Sequence, residues 1–278
     1  KVGLVAGVGL VVVIAGSLAW AFLPPRTPAA LPQDPEPAAP AKPVLTAEQV
    51  EKIVSSAVAR AEQGEYAQAE TILEAAIREH PRVQELYLAL GQVKTGRDQE
   101  GAYAAFEKAV AVGAKLNAIN GGQVGPVQYA AGAAAMGAGK LERAEEHFVA
   151  AIAAEPKVAE YHIALAAVMD RQGKLDESFM ELTKASNLDP NNPATWAGMA
   201  DNNLRRNHPQ LGLQYIGRAR ELEPRKAAWR LVEARALNRL ARAEDAVNVL
   251  SGLEGAERNQ VAVLRLVVGE FARTGWLP

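Results

Sequence analysis

Few residues of this 278-residue chain could do chemistry. It has no cysteine, which excludes disulfides, thiolate metal sites, a cysteine nucleophile and the lipidated cysteine of a bacterial lipoprotein. Its four histidines are His80, His147, His162 and His208. None belongs to an HExxH pattern, and no two stand at metal-ligand spacing. His162 falls at a helix-stacking position and is expected to be a packed structural residue, while His80 and His208 each precede a proline. Residues 132–140, GAAAMGAGK, have the outline of a phosphate-binding loop, but that loop needs a glycine where Ala134 stands and a hydroxyl where Leu141 stands. Acidic residues such as Glu142, Glu145 and Glu146 are expected on solvated helix faces. No nucleophile, base and orienting group assemble from these parts. The expectation is therefore no enzyme, no cofactor, no metal and no small-molecule substrate.

The elements that must carry these residues are helices, because apolar positions after Leu45 recur with helical spacing in pairs of segments. Pro156, Pro190 and Pro224 lie 34 residues apart, each closing a pair. Interior positions repeat in the same register. Before Pro224 come Trp196, Met199-Ala200, Gly212, Ile216 and Ala219; before Pro190 come His162, Leu165-Ala166, Ser178, Leu182 and Ala185. Before Pro156 come Gln128, Ala131-Gly132, Ala144, Phe148 and Ala151. Small residues recur where the two helices of a pair must cross, since bulk there would force them apart.

Upstream, Ser56-Ala57, Ala69, Leu73 and Ala76 form a first repeat, and Leu90-Gly91, Ala102, Phe106 and Ala109 a second, its internal turn one residue shorter. Downstream, Glu233-Ala234, Ala246, Leu250 and Leu253 form a sixth, degenerate one. Residues 260–273 are expected to close the last apolar face as a helix. Between the second and third repeats about eight extra residues fall within 116–125, where Asn117, Asn120, Gly121 and Gly122 predict a loop.

A 34-residue period of helix pairs resembles the tetratricopeptide-repeat family over residues 46–258. The resemblance implies an all-α fold, a right-handed superhelical array of about six helix-turn-helix repeats. It also implies a partner groove lined by the first helix of each pair: Leu88, Gln92, Tyr129, Ala133, Ile163, Ala167, Ala197, Asp201, Leu231 and Arg235. Family members that clamp an acidic C-terminus place lysine and asparagine at two of these positions. Here Ile163, Ala167, Ala197 and Asp201 stand instead, so the expected ligand is an apolar helix or extended segment of another protein.

Ahead of the array, residues 2–23 carry no charge. As a helix they would span roughly 30 Å, the thickness of a bilayer core, with Trp20 near one interface. Gly3 and Gly7 form a GxxxG pair that would admit a second membrane helix. Residues 24–45 are a linker whose eight prolines favour an extended spacer reaching at most roughly 60 Å. The expected organisation is a transmembrane anchor (1–23), the linker, the repeats, and a capping helix and tail (259–278). The layout resembles single-pass bacterial inner-membrane proteins of pilus or secretion assembly and cytochrome maturation, with the repeats in the periplasm.

Net charge is −2, which speaks against a general polyanion binder, and no aromatic platform for nucleic acid is evident. Between 205 and 242 arginines gather (Arg205, Arg206, Arg218, Arg220, Arg225, Arg230, Arg235, Arg239 and Arg242, with Lys226), against few acids in the same window. That excess is expected either as a solvated face or as an attraction for an acidic partner or lipid headgroups. The functional expectation is a membrane-anchored interaction scaffold or assembly factor for a membrane or envelope complex. The alternative is a constitutive accessory subunit of a large membrane protein complex.

Overall fold

The computed structural model of the chain describes residues 45–120 and 124–251. The expected membrane helix with Gly3 and Gly7, nearly all of the linker and the C-terminal capping helix lie outside the described residues. Among the described residues, no helix is long and apolar enough to cross a membrane.

Twelve helices follow one another there, with no strand. They pair as α1 (Ala47–Glu62) with α2 (Tyr66–Glu79), α3 (Gln84–Lys94) with α4 (Gln99–Asn120), and α5 (Val124–Gly137) with α6 (Leu141–Ala154). Then come α7 (Ala159–Arg171) with α8 (Leu175–Leu188), α9 (Pro193–Arg205) with α10 (Pro209–Leu222), and α11 (Ala227–Arg239) with α12 (Ala243–Ser251). First helices also touch their successors, α1 on α3, α5 on α7, α7 on α9 and α9 on α11, so the pairs stack into an array.

The crossing residues read from the sequence lie at the core. Ala57, Ala69, Ala144, Ser178, Ala200, Ala234 and Ala246 are fully buried. At the third pair the fit is tight: a Cβ added to Gly132 would come within 2.8 Å of the Phe148 ring. The larger residues at the next register position, Leu73, Phe106, Phe148, Leu182, Ile216 and Leu250, are all buried between pairs. Burying each stabilises the array by roughly 1.5–3 kcal/mol.

The turn inside each pair follows one design. The second residue after the first helix turns left-handed, at Gly64, Gly139 and Gly173, and at Asn207 (φ 62) and Ala241 (φ 58). The next amide then bonds five residues back: Glu65 to Arg60, Lys140 to Ala135, Lys174 to Met169, His208 to Asn203 and Arg242 to Leu237. This arrangement satisfies otherwise orphaned helix-end carbonyls. The α3–α4 turn departs from it. Gly96 is left-handed too, but four residues, not three, separate the helices, and the Asp98 amide bonds Lys94 only four residues back. The missing residue is therefore lost from the 11-residue α3, and not from the turn as expected. At the start of the array Thr46 and Gln49 cap α1 reciprocally (2.9 and 3.3 Å).

Most of the stretch expected as a loop is helical, at 116–120 and 124–125, while residues 121–123 lie outside the described residues. The helix α4 continues to Asn120 and α5 begins at Val124. Alanine, valine, lysine and leucine between 109 and 116 carry the helix onward, and Pro126 is accommodated because it falls in the first turn of α5, where its missing N–H has no partner to lose.

Candidate partner-binding face

The ten residues expected to line a groove all lie on first helices: Leu88 and Gln92 on α3, Tyr129 and Ala133 on α5, Ile163 and Ala167 on α7, Ala197 and Asp201 on α9, Leu231 and Arg235 on α11. They form two rows at 34-residue spacing, broken only by the extra residues before α5. In one row Leu88, Tyr129, Ile163 and Leu231 are half-buried; in the other Gln92, Ala133, Ala167 and Arg235 are exposed and Asp201 is half-buried. The exception is Ala197, only 6% exposed and packed with Ala200, Ile216 and Ala219. It supplies packing, not surface, because its methyl is too short to rise past Trp196 and Val232 in the same cluster.

Tyr129 is the aromatic feature of this face. Its ring stacks on Tyr161 at 5.3 Å and tilts against Phe148 at 5.6 Å, so it is held by the core while one part stays accessible. Such a fixed amphipathic ring loses little entropy when a partner covers it. Beside it Ala133 and Ala167 leave the helix backbones approachable.

The C-terminal ends of the first helices carry a device that the sequence reading missed. Arg171 donates to the Met136 carbonyl (3.3 Å), Arg205 to the Asp170 carbonyl (3.2 Å) and Arg239 to the Leu204 carbonyl (2.8 Å). Each guanidinium thus caps the preceding first helix, meeting both its orphaned carbonyls and the negative end of its dipole. The signal was present as arginine at 171, 205 and 239, in the same 34-residue register.

Second helices are tied forward in the same way. Glu70 pairs with Lys94 (3.0 Å) and Arg97 (3.1 Å), Glu100 with Lys140, Glu145 with Lys174 (2.8 Å) and Asp176 with Arg206 (2.6 Å). Burial alone pushes the Glu70 carboxyl up, but hydrogen bonds from Lys94 and Arg97 outweigh it and hold the group below its ordinary value. For Glu145 the Lys174 hydrogen bond leads and acts in the same direction. Glu145 is therefore an inter-repeat tie and not the plain solvated acid that the sequence suggested.

The arginine-rich stretch is likewise largely spoken for. Arg206 reaches Asp176, Arg218 Glu221, Arg220 Glu233, Arg235 Asp201 (2.7 Å) and Arg242 Asp245. Asp201 also takes Arg205 at 3.2 Å. Three of these five acids, Asp176, Asp201 and Asp245, stand outside the window in which arginine looks to be in excess, so the apparent basic patch is mostly internal ion pairing.

Two histidines sit in buried polar networks. His162 places Nδ1 2.7 Å from Glu181 and Nε2 3.3 Å from the Pro156 carbonyl, the packed role expected of it. Its position repeats in Tyr87 and Trp196, which donate to the carbonyls of Pro81 and Pro190, again six residues back. His147, unremarked in the sequence, bridges Gln128 (2.7 Å) and Glu107 (2.6 Å) across three helices, with the Tyr103 hydroxyl donating to the same Glu107 oxygen. The four groups hold α4 to α5 and α6 where the period is interrupted. No group of three or more metal-ligating side chains occurs among the described residues.

The model for the tetratricopeptide repeat matches residues 56–115 and 129–193. The sequence has no match among curated proteins. Solved structures with the same architecture include PilW, a widely conserved type IV pilus biogenesis factor, at TM-score 0.67 and 13% identity over 80% of this chain and 100% of that one. PilF of Pseudomonas aeruginosa aligns at TM-score 0.60 and 17% identity over 80% and 98%. YrrB, a tetratricopeptide protein with an unusual peptide-binding site, aligns at 0.52 and 16% over 66% and 90%. At these identities the likeness is one of fold. The residues matched by the model run through the first four helix pairs, and the all-helical array of twelve helices among the described residues shares the fold of solved structures that include tetratricopeptide-repeat proteins.

Proposed function

We propose that this chain recruits other proteins through the first-helix face of its repeats and serves as a scaffold or assembly factor for a membrane or envelope complex. The observation that carries the reading is the pairing of a half-buried apolar row, Leu88, Tyr129, Ile163 and Leu231, with exposed Ala133 and Ala167 alongside. That is an accessible apolar strip, and it suits an apolar helix or extended segment of a partner. PilW, a type IV pilus biogenesis factor, shares the architecture, which agrees with an assembly role. On this reading residues 2–23 hold the chain in a bacterial inner membrane, with the repeats on the periplasmic side.

The test is recovery of partners by the full-length chain and by the Ala133→Arg, Ala167→Arg double variant, after gentle solubilisation and with quantitative mass spectrometry. Both substitutions are at exposed sites, so thermal unfolding should be unchanged. The reading predicts loss of the specific partners by about tenfold or more, since two unpaired charges would be placed in an apolar contact. Undiminished recovery would overturn it.

A further inference from the structure

The apolar row continues toward the N-terminus into Val54, which stands 34 residues before Leu88. There the structure opens a pocket of about 400 Å³, lined by Val50, Val54 and Val83 with Leu45 and Ala47 at its edge. The three valines pack against the first core cluster, so the floor is backed by fixed side chains. Apolar cavities of on the order of 150 Å³ take up a benzene-sized group, and this space accepts a large aliphatic side chain.

Its rim is charged. Glu51 and Glu85 lie at equivalent places in successive repeats, both exposed. Neither appears among the ion pairs that engage Glu65, Glu70 and Asp98 nearby. The cation of the lining is Arg82, which leaves the rim with one net negative charge. A helix dipole accounts for Glu85, which sits in the first turn of α3. It does not account for Glu51, the fifth residue of α1, because the dipole's influence fades within one turn.

We propose that this pocket receives an aliphatic side chain flanked by lysine or arginine on the bound partner, with Glu51 and Glu85 answering the cations. The inference rests on the first-helix face being the docking surface, and it names the partner's chemistry at the array's N-terminal end. An acidic segment with the same aliphatic residue is repelled by the net negative rim, and an uncharged one gains no ion pair there. The apolar floor turns away a purely basic one.

The probe is a set of nonapeptides on an array, with leucine, isoleucine, phenylalanine or alanine at the centre and lysine, glutamine or glutamate on both flanks, incubated with the full-length chain. Retention should require lysine flanks and an aliphatic centre, and should weaken from low to physiological salt as exposed charges are screened. The Glu51→Gln, Glu85→Gln double variant should lose about tenfold in retention while unfolding at the same temperature. Absence of retention, indifference to flank charge, or equal retention by the double variant would each overturn the proposal. The Ala133→Arg, Ala167→Arg variant separates the two readings. It should keep lysine-flanked peptides while losing partners; partner recovery that survives it removes the groove reading without touching the peptide result.

Discussion

The left-handed residue in each turn shows how one position can be read twice. Glycine serves at four of the six turns, but Asn207 and Ala241 carry positive φ without it. An alanine held there costs about 1 kcal/mol or more, so Ala241→Gly should stabilise the last repeat by about 1 kcal/mol in denaturant unfolding, and no change would show the strain to be absent. Asn207→Gly should gain less, because asparagine tolerates this region better. The opposite sign is expected at Gly132→Ala: its methyl would meet the Phe148 ring, and the overpacked crossing should lose about 1–3 kcal/mol. Gly132 was legible in the sequence because the crossing's steric demand recurs every 34 residues; the left-handed turns at Asn207 and Ala241 were not, because neither residue is glycine. Ala197 was not, since its register promised surface while its neighbours Trp196 and Val232 bury it.

At the level of elements, helix pairs and crossings followed from local pattern, whereas the ties between pairs did not. Arg205 bonding Asp170 or Glu145 meeting Lys174 joins residues about 30 apart, and only the stacked arrangement brings them together. The same gap hid the ion pairing within the arginine stretch; the loop expected at 116–125 gave way at 116–120 for a local reason, alanine-rich helix propensity outweighing the asparagines. The ties have a pH signature. Glu70, Glu145 and Glu181 are all held below the ordinary carboxylate value of 4.5. For Glu181, burial pushes up, but hydrogen bonds from Lys184 and His162 prevail. A depressed folded pKa gives stability that is present above the unfolded value and lost as pH falls through the folded one. Unfolding midpoints should therefore hold from neutral pH to about 5 and fall below 4.5. The double variant Glu70→Gln, Glu181→Gln should start less stable and fall less steeply over that window; an identical acid limb would show that these pairs do not contribute.

Across the whole array, repeats support one another through nearest neighbours, so stability should vary along it. Amide exchange should be slowest around Phe148, Leu165 and Leu182, flanked by pairs on both sides, and faster in α1 and α12; uniform exchange would mean that the array opens as one unit. On the proposed function the array acts through its first-helix face, a surface implied by the family resemblance, and burial and ion pairing decide which of its residues a partner can reach. The most direct measurement places a photo-crosslinking amino acid at Ala167, on that face, and in a second chain at Met180, which is 56% exposed on the second helix of the same repeat. The full-length protein is then irradiated in its own cells. Discrete adducts with the same partner from position 167 and none from position 180 are the predicted result. Adducts from position 180 alone would contradict the account and move the docking surface to the second helices.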